Sequence, residues 1–279
     1  MTPTLRWAGL ACAAALVVAG LVVVVVSALP RAEPSVLDDP ARLRAAGVAT
    51  LRPEVLAVMP HDPTAYTEGF EIDGDALLES TGLTGRSQLR ALDPATGAVR
   101  RAEPLPPAVY GEGVTATPTA LWQLTYRDGI AYERDPATWT IRRTVPLERE
   151  GWGACHDGTR VVTSDGTDEL VLRDPASFAP VRTVRVTAAD VPVERLNELE
   201  CTAEGVWANV WHTDRLVRID PGSGRVTAVV DAAGLLPPGQ RPDDPDAVLN
   251  GIAAVPGTDR FLLTGKYWPS MFRVRLVPS

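Results

Sequence analysis

One stretch of this chain reads Leu89-Arg90-Ala91-Leu92-Asp93-Pro94-Ala95-Thr96-Gly97, and its pattern returns three more times. An alternating apolar strand runs into Asp-Pro, two or three turn residues follow, and a second strand begins. Proline fixes φ at the second turn position, and the aspartate before it can bond the turn backbone. The later copies place this aspartate at Asp135, Asp174 and Asp220, so successive copies lie 42, 39 and 46 residues apart.

A repeat of this length, with two further strands predicted ahead of each hairpin, is typical of a β-propeller built from four-stranded blades. A fifth unit at the C-terminus has only three predicted strands. Residues 54–59, ahead of the first unit, are expected to supply the missing strand, close the ring and remove an exposed sheet edge. The sequence therefore predicts an all-β fold, a five-bladed β-propeller over residues 52–279 with ring closure by an N-terminal strand.

The first 30 residues have a different composition. Residues 7–29 carry no charge, and about 20 apolar residues suffice to span a bilayer as a helix. The segment also exceeds the roughly 7–15-residue apolar core of a cleaved signal peptide, although Ser27-Ala28 offers small residues for cleavage. We expect residues 1–30 to be an apolar helix acting as signal-anchor or signal peptide, and residues 31–51 to be a linker. The propeller is then exported, either anchored outside the cytoplasm by residues 7–29 or secreted after cleavage.

Charge and residue types exclude several functions. The formal net charge is −8 and the body contains no basic run, which argues against nucleic acid as a partner. The three histidines, His61, His156 and His212, stand singly rather than at metal-ligand spacing. The chain contains no Gly-x-Ser-x-Gly elbow and no phosphate-binding glycine loop. We expect a monomer that uses no metal and no cofactor.

Two cysteines fall at equivalent places in neighbouring units. Cys155 and Cys201 each lie on the predicted innermost strand, of the third and fourth blades respectively. Equivalent inner-strand positions of adjacent blades are close, and a disulfide persists in an exported protein. A disulfide between the two and a pair of buried free thiols are both compatible with the sequence.

Two carboxylates stand between small residues at the start of predicted inner strands, in Tyr66-Thr67-Glu68-Gly69-Phe70 and Tyr110-Gly111-Glu112-Gly113. In a propeller the leading residues of the inner strands meet at one mouth of the channel. The predicted leaders are Glu68, Glu112, Trp152, Glu198 or Leu199, and Asn250. Asn209 and Lys266 end second strands and are expected to face the same mouth.

Aromatic residues are expected around this mouth, although each could instead pack between blades. They are Trp122, Tyr126, Trp152, Trp207, Trp211, Tyr267 and Trp268. A carboxylate enclosed by aromatic groups has a raised pKa, and a second carboxylate raises it further, toward the range useful in proton transfer. The insertion at residues 235–246 either borders this pocket and helps to select what binds there, or is a plain connector.

Eight motifs together resemble the plant- and bacterial-type glutaminyl-peptide cyclotransferases, in order from about Val55 to the C-terminus. They are Tyr66-Thr67-Glu68-Gly69-Phe70, Tyr110-Gly111-Glu112-Gly113, Leu121-Trp122-Gln123-Leu124-Thr125-Tyr126, Gly151-Trp152-Gly153, Asn197-Glu198-Leu199-Glu200, Trp207-Ala208-Asn209-Val210-Trp211, Leu249-Asn250-Gly251-Ile252 and Leu263-Thr264-Gly265-Lys266-Tyr267-Trp268-Pro269. The resemblance implies a five-bladed propeller that works without zinc. It also implies a transferase that converts the N-terminal glutamine of peptides or proteins to pyroglutamate with release of ammonia.

The resemblance also implies residue roles. Glu112 matches the acid/base, Tyr126 and Trp152 match pocket walls, and Asn209 and Lys266 match positions that bind the substrate amide or the oxyanion. Glu68 would contact the substrate amine or side-chain amide. The plant pattern has Gln in place of Glu68 and Trp in place of Tyr126, which leaves the effect of an additional carboxylate open.

Two other functions fit the same residues. One is a non-catalytic exported propeller that binds a peptide or wall component at its channel mouth. The other is a metal-dependent propeller hydrolase, with Glu68, Glu112, Asn209 and Asn250 as candidate calcium ligands.

Overall fold

Each of the four Asp-Pro turns joins the last two strands of a four-stranded antiparallel unit. The aspartate carboxylate accepts a hydrogen bond from the backbone N–H two residues later in every copy, at 2.8–3.1 Å. The fourth residue after each aspartate has positive φ, namely Gly97, Trp139, Phe178 and Gly224. This conformation is costly for a bulky residue, and the side chains of Trp139 and Phe178 offset that cost by being buried.

The computed structural model describes residues 35–279. The apolar segment at residues 7–29 and the boundary predicted at residue 30 lie outside the described residues. In the described part of the chain, no helix has the length and hydropathy needed to cross a membrane.

The strands form three four-stranded sheets, one short hairpin and one eight-stranded sheet. In chain order they are β1 (Ala49–Pro60), β2 (Thr67–Asp73), β3 (Ala76–Thr81), β4 (Gln88–Leu92), β5 (Val99–Pro104), β6 (Gly111–Ala116), β7 (Leu121–Thr125), β8 (Ile130–Arg134), β9 (Ile141–Pro146), β10 (Ala154–His156), β11 (Val161–Thr163), β12 (Glu169–Arg173), β13 (Pro180–Arg185), β14 (Thr187–Ala188), β15 (Val191–Pro192), β16 (Leu196–Thr202), β17 (Gly205–Val210), β18 (Arg215–Ile219), β19 (Val226–Asp231), β20 (Leu249–Ala254), β21 (Arg260–Gly265) and β22 (Ser270–Pro278). The three separate sheets are β2–β5, β6–β9 and β10–β13.

The N-terminal strand completes the last unit. β1 runs antiparallel to β22 from Leu51 to Pro60, whereas its contact with β19 is limited to three parallel pairs at Ala49–Leu51. The eight-stranded sheet is therefore two four-stranded units, β16–β19 and β20–β22 with β1, joined at one corner. The prediction that residues 54–59 pair with the last unit is confirmed.

The first strands of the units contact one another in a closed cycle, β2 to β6 to β10 to β16 to β20 and back to β2. Glycine permits this close approach. A Cβ on Gly69 would lie 2.6 Å from the backbone nitrogen of Val114, and one on Gly113 would lie 2.6 Å from the backbone oxygen of Trp152. The glycines beside Glu68 and Glu112 are therefore required by backbone contact between neighbouring inner strands.

The structure differs from the linker expected over residues 31–51. From Ser35 onward this segment forms a 3-10 turn (Val36–Asp38) and helix α1 (Pro40–Ala45), and β1 begins at Ala49. Asp39 caps α1 by accepting from the Arg42 N–H at 2.9 Å. The segment is packed because its apolar side chains at Val36, Leu37 and Leu43 are buried in the core that the third and fourth units share.

Cys155 on β10 and Cys201 on β16 are joined by a disulfide, with their Cα atoms 5.3 Å apart. The bond links neighbouring inner strands of the third and fourth units. It closes a loop across a sequence separation of 46 residues. A cross-link of this span restricts the unfolded chain far more than the folded one.

We predict that replacing both cysteines by alanine lowers the free energy of unfolding by about 2–4 kcal/mol. Urea denaturation of the oxidised protein and the double variant measures the difference. A reductant should destabilise the wild type but leave the double variant unchanged. Equal stability of the two oxidised proteins would contradict the prediction.

Candidate active site

A cavity of about 370 Å³ opens at the end of the ring where the inner strands begin. Its lining combines aromatic and charged side chains: Tyr66, Glu68, Leu83, Tyr110, Glu112, Tyr126, Trp152, Asn197, Trp211, Asp246 and Lys266. Five of the six residues predicted for the site therefore lie around one cavity.

Among the charged side chains that line the cavity, Glu68 makes the most contacts with other polar groups. Its Oε2 lies 2.7 Å from the Lys266 ammonium, and its Oε1 accepts from the Tyr110 hydroxyl at 3.1 Å. The Asn250 amide approaches the same carboxylate at 3.5 Å. Glu68, Glu112 and Lys266 are all at most 5% exposed, so these charges interact with little solvent screening.

The two carboxyl groups are close enough for a hydrogen bond between them, which forms when one of them carries a proton. Burial raises the pKa of both groups. For Glu68 this rise is opposed by the Lys266 ammonium and the Tyr110 hydroxyl. For Glu112, burial is reinforced by the neighbouring Glu68 charge, so its pKa lies well above the usual range. Glu68 is thus the more acidic partner, and Glu112 holds the shared proton.

Lys266 is the only lysine among the 279 residues, and the other 26 basic residues are arginines. Its Nζ lies 4.3 Å from the centre of the Tyr66 ring, a favourable cation–π contact. A compact ammonium concentrates charge on one atom, unlike the planar guanidinium used elsewhere in the chain. A single lysine among so many arginines was a sequence signal for the site that motif matching did not use.

Aromatic rings form the remaining walls. Trp152 and Trp211 meet edge to face with ring centres 5.4 Å apart, and Tyr110 and Tyr126 lie at the same separation. The Trp152 indole N–H donates to Glu150 Oε2 at 3.1 Å. Tyr66 was not predicted as a wall residue, although it opens the first glycine-flanked motif.

Four of the aromatic residues expected at the mouth do not line the cavity. Trp122 stacks on Phe178 with ring centres 4.3 Å apart, and Trp207 and Trp268 lie in the core of the last two units. Tyr267 packs behind Tyr66 at 5.1 Å. For Trp122, Trp207 and Trp268 the alternative of core packing is the correct one, because all three are buried in hydrophobic clusters.

Asn209 is also absent from the lining. Its Oδ1 accepts from the Gly251 N–H at 3.0 Å and its Nδ2 lies 3.5 Å from the Leu249 oxygen, so the side chain joins β17 to β20. Asn197 lines the cavity instead. Within residues 35–279, Asn197 Oδ1 and Trp211 Nε1 are buried without a hydrogen-bond partner. These unpaired groups are available to a ligand.

A bulge on β16 changes which residue leads this strand. The pairing of β16 with β17 shifts register between Leu196 and Leu199, and Asn197 lines the cavity rather than the predicted leader, Glu198 or Leu199. The leader predicted at Glu198 points elsewhere: its two carboxyl oxygens accept from the Phe70 and Ile252 N–H groups at 3.2 and 2.8 Å. The chain's three asparagines, Asn197, Asn209 and Asn250, are all buried, and their scarcity was a second unused signal.

The calcium alternative does not suit this geometry. The Lys266 ammonium already occupies the space beside Glu68 where a cation would bind, and the Asn209 oxygen is used by backbone. Over residues 35–279, no group of three or more His, Cys, Asp or Glu side chains is arranged to hold a metal ion.

The insertion between β19 and β20 borders the cavity, since Asp246 is part of the lining. His212 Nε2 lies 3.4 Å from Asp246 Oδ1 at the rim. Leu235 and Leu236 bury the start of the insertion in the core. Of the two alternatives for this insertion, the structure supports the one in which it borders the pocket, and its effect on what the pocket accepts stays a prediction.

Comparisons with known proteins agree with these features. The profile of the family described as Glutamine cyclotransferase matches residues 23–276. A glutaminyl-peptide cyclotransferase of Arabidopsis thaliana is 36% identical over 231 residues, covering 80% of this chain and 71% of the relative. The crystal structure of the Myxococcus xanthus glutaminyl cyclase superposes with a TM-score of 0.78 at 34% identity, covering 83% of this chain and 99% of that one. By sequence and fold, this chain belongs to the glutamine cyclotransferase family.

Proposed function

We propose that the cavity around Glu68, Glu112 and Lys266 is where this glutaminyl-peptide cyclotransferase forms pyroglutamate from the N-terminal glutamine of a peptide. We also infer that the five four-stranded units are the blades of a five-bladed propeller, with β2, β6, β10, β16 and β20 around its axis. The cycle of contacts between these five strands supports that inference.

The reaction is an intramolecular acyl transfer. The substrate's α-amine attacks the carbonyl carbon of its own side-chain amide, a C–N bond forms, the original C–N bond breaks, and ammonia leaves. No protein nucleophile is needed. The protein must remove a proton from the attacking amine, deliver one to the departing nitrogen and stabilise the negative charge that develops on the amide oxygen.

Glu112 suits the proton transfers. Its pKa is raised by burial and by Glu68, so a proton on this group is gained and released nearer to neutral pH than on an ordinary glutamate. The ionised Glu68 receives one hydrogen bond from Glu112 and holds it in place. We assign Glu112 as the acid/base: its proton passes to the leaving nitrogen, and the resulting carboxylate then takes the proton that the attacking amine gives up.

Lys266, Asn197 and Trp211 suit the substrate amide. The Lys266 ammonium supplies positive charge next to Glu68 and Glu112. The indole N–H of Trp211 is a donor that has no hydrogen-bond partner among residues 35–279. The side-chain oxygen of Asn197, Oδ1, has no partner among residues 35–279 and can accept a hydrogen bond from an N–H of the substrate amide or amine. We assign Lys266 and Trp211 to the amide oxygen and Asn197 to the substrate's N–H groups.

Tyr126 and Trp152 suit the conformational demand of ring closure. An extended glutamine side chain must fold back until its amide carbon meets the amine, and a walled pocket removes the competing conformers. The observation that carries the assignment is the buried Glu68–Glu112 pair facing the chain's single lysine inside this cavity.

The carboxylate at position 68, where the plant pattern has glutamine, has a partner. Its ion pair with Lys266 balances the extra charge, and its hydrogen bond to Glu112 raises the pKa of that group. We propose that Glu68 sets the protonation of Glu112 and then orients the substrate amine.

We predict that the purified protein releases ammonia from a Gln-initiated dipeptide and forms the cyclised product, and that a chelator does not inhibit it. Glu112→Gln should lower kcat at least 100-fold, because general acid/base catalysis contributes about 10²–10⁴-fold. The matched control is Glu103→Gln, an exposed site on β5, which should retain full activity. Chelator-sensitive turnover would favour the hydrolase alternative, and peptide binding without turnover would favour the binding module.

The raised pKa of Glu112 also predicts a stability effect. The unfolded chain ionises this group at a pKa of about 4.3, while the folded protein keeps the proton to higher pH, so stability falls as pH rises above that value. Glutamine imitates the protonated carboxyl group and can still donate to Glu68. Glu112→Gln should therefore unfold at higher temperature than the wild type at pH 7, with about 1.4 kcal/mol gained for each unit by which the pKa was raised.

Thermal unfolding at several pH values measures this difference. The gain should shrink as the pH approaches 4, where the unfolded wild-type carboxyl is protonated as well. A variant that is less stable than wild type at pH 7, or a gain that is independent of pH, would contradict the prediction.

We propose that the propeller is exported. The Cys155–Cys201 disulfide supports an oxidising compartment, since cytosolic thiols are kept reduced. We expect residues 7–29 to hold the protein at the membrane with the propeller outside the cytoplasm.

Fractionation of producing cells and N-terminal sequencing test this: an intact N-terminus in the membrane fraction agrees with an anchor, and a mature N-terminus near residue 29 in the medium indicates cleavage. Protein confined to the cytosol would refute export.

A further inference from the structure

Two segments that carry the ion pair of the cavity meet behind it. Residues 61–68 lead into Glu68, and residues 265–269 connect β21 to β22 and include Lys266. Backbone hydrogen bonds join the segments, from the His61 N–H to the Pro269 oxygen at 3.0 Å and from the Tyr267 N–H to the Ala65 oxygen at 2.7 Å. Glu68 and Lys266 therefore approach each other on segments that are held together directly.

The His61 side chain makes the third connection. Its Nδ1 lies 2.8 Å from the Trp268 carbonyl oxygen, and its Nε2 lies 2.9 Å from Glu79 Oε1. A carbonyl oxygen can only accept, so Nδ1 carries a hydrogen. The same Glu79 oxygen accepts from the Thr67 hydroxyl at 2.8 Å, which ties the residue before Glu68 to the same group.

The charges around His61 fix its protonation. Glu79 is fully buried, with Arg90 at 3.5 Å from its other oxygen, and Asp62 pairs with the far side of Arg90 at 2.9 Å. Burial alone would raise the pKa of Glu79, but His61, Arg90 and Thr67 hold it below the usual value. Burial alone would lower the pKa of His61, but Glu79 and the Trp268 carbonyl raise it above the usual value. His61 is thus an imidazolium that donates from both nitrogens.

The backbone next to Lys266 needs such support. Tyr267 has a φ of +61°, a left-handed conformation that is unfavourable for a bulky residue and persists where its surroundings impose it. The bond from the Tyr267 N–H to Ala65 and the bond from His61 to Trp268 surround this residue. A change in this turn would move the Lys266 ammonium relative to Glu68.

We propose that His61, bridging Trp268 and Glu79, is a positioning residue that sets the Lys266–Glu68 contact from outside the cavity. Neither His61 nor Glu79 lines the cavity. The proposal deepens the proposed function and rests on it for its effect on turnover, whereas the effect on the ion pair itself is independent of turnover.

Loss of this bridge has a definite consequence for the carboxyl pair. The Lys266 charge lowers the pKa of both Glu68 and Glu112, in opposition to burial. A Lys266 ammonium that is no longer held 2.7 Å from Glu68 lowers the pKa of Glu68 and of Glu112 less. Both carboxyl groups therefore titrate at higher pH. A general loss of stability would reduce the amount of folded enzyme without moving the titration.

The first test uses His61→Leu and the milder His61→Gln, which keeps one amide donor. We expect His61→Leu to lower kcat at least tenfold with KM changed less than twofold, and to move the limb of the pH–rate profile that belongs to the carboxyl pair to higher pH. His61→Gln should fall between His61→Leu and the wild type. The matched control is Arg173→Met, which removes a fully buried cation from the third unit, where Arg173 pairs with Glu148. It should lower stability but leave kcat and the pH profile unchanged.

The second test does not depend on turnover. Because Lys266 is the only lysine, labelling lysine with ¹⁵N gives one side-chain ammonium signal that reports the contact with Glu68. We expect this signal to move toward the position of a free lysine in His61→Gln and in Glu79→Gln, and to stay in place in Arg173→Met. These variants retain hydrogen-bonding groups, so they keep the test open if His61→Leu fails to fold.

An unmoved signal in folded His61→Gln and Glu79→Gln would overturn the proposal, whatever the activity. A moved signal in a wild-type protein that proves unable to cyclise glutamine would support the positioning role while refuting the proposed function. A kcat loss with an unmoved signal would assign His61 to overall stability and would also overturn the proposal.

Discussion

The buried contact between the Lys266 ammonium and the Glu68 carboxylate determines how the rest of the cavity is charged. It lowers the pKa of Glu68 in a place where burial raises it. The ionised Glu68 then raises the pKa of Glu112, which retains the shared proton. Because the Lys266 ammonium lies beside Glu68, the carboxyl groups of Glu68 and Glu112 differ in how readily they hold a proton. Such a difference between paired carboxyl groups is common where proton transfer is catalysed.

The architecture makes this contact possible by bringing five inner strands close together at their starts. Gly69 and Gly113 let the backbones of neighbouring inner strands approach closely. The side chains of Glu68 and Glu112, which directly precede these glycines, line the cavity. Other buried glutamates accept hydrogen bonds from backbone N–H groups instead. Glu198 accepts from Phe70 on β2 and from Ile252 on β20, and Glu71 accepts from the Ala116 N–H at 2.9 Å. The same residue type thus lines the cavity at one end of the ring and accepts from backbone N–H groups farther along the strands.

Much of this organisation could be predicted from the sequence because it depends on local chemistry. The Asp-Pro turns mark four of the units, and the missing strand of the fifth identifies the closing strand. The carboxyl pair could be predicted because glycine flanks mark close backbone contact. The asparagine could not, because Asn197 and Asn209 lie on neighbouring strands and only their contacts separate them: Asn197 lines the cavity, whereas Asn209 accepts from the Gly251 N–H. The packing of residues 36–45 could not be predicted, because their burial depends on the third and fourth units, which lie far along the chain.

The pH dependence of kcat/KM in the wild type and in Glu68→Gln is the most direct test of the claim that Glu68 raises the pKa of Glu112. The substrate amine contributes equally to both profiles, so their difference belongs to the carboxyl pair. Glu68→Gln, which restores the residue of the plant pattern, should remain active, and its carboxyl limb should move to lower pH because the neighbouring negative charge is gone. An unmoved limb, or a loss of activity as complete as that of Glu112→Gln, would contradict it.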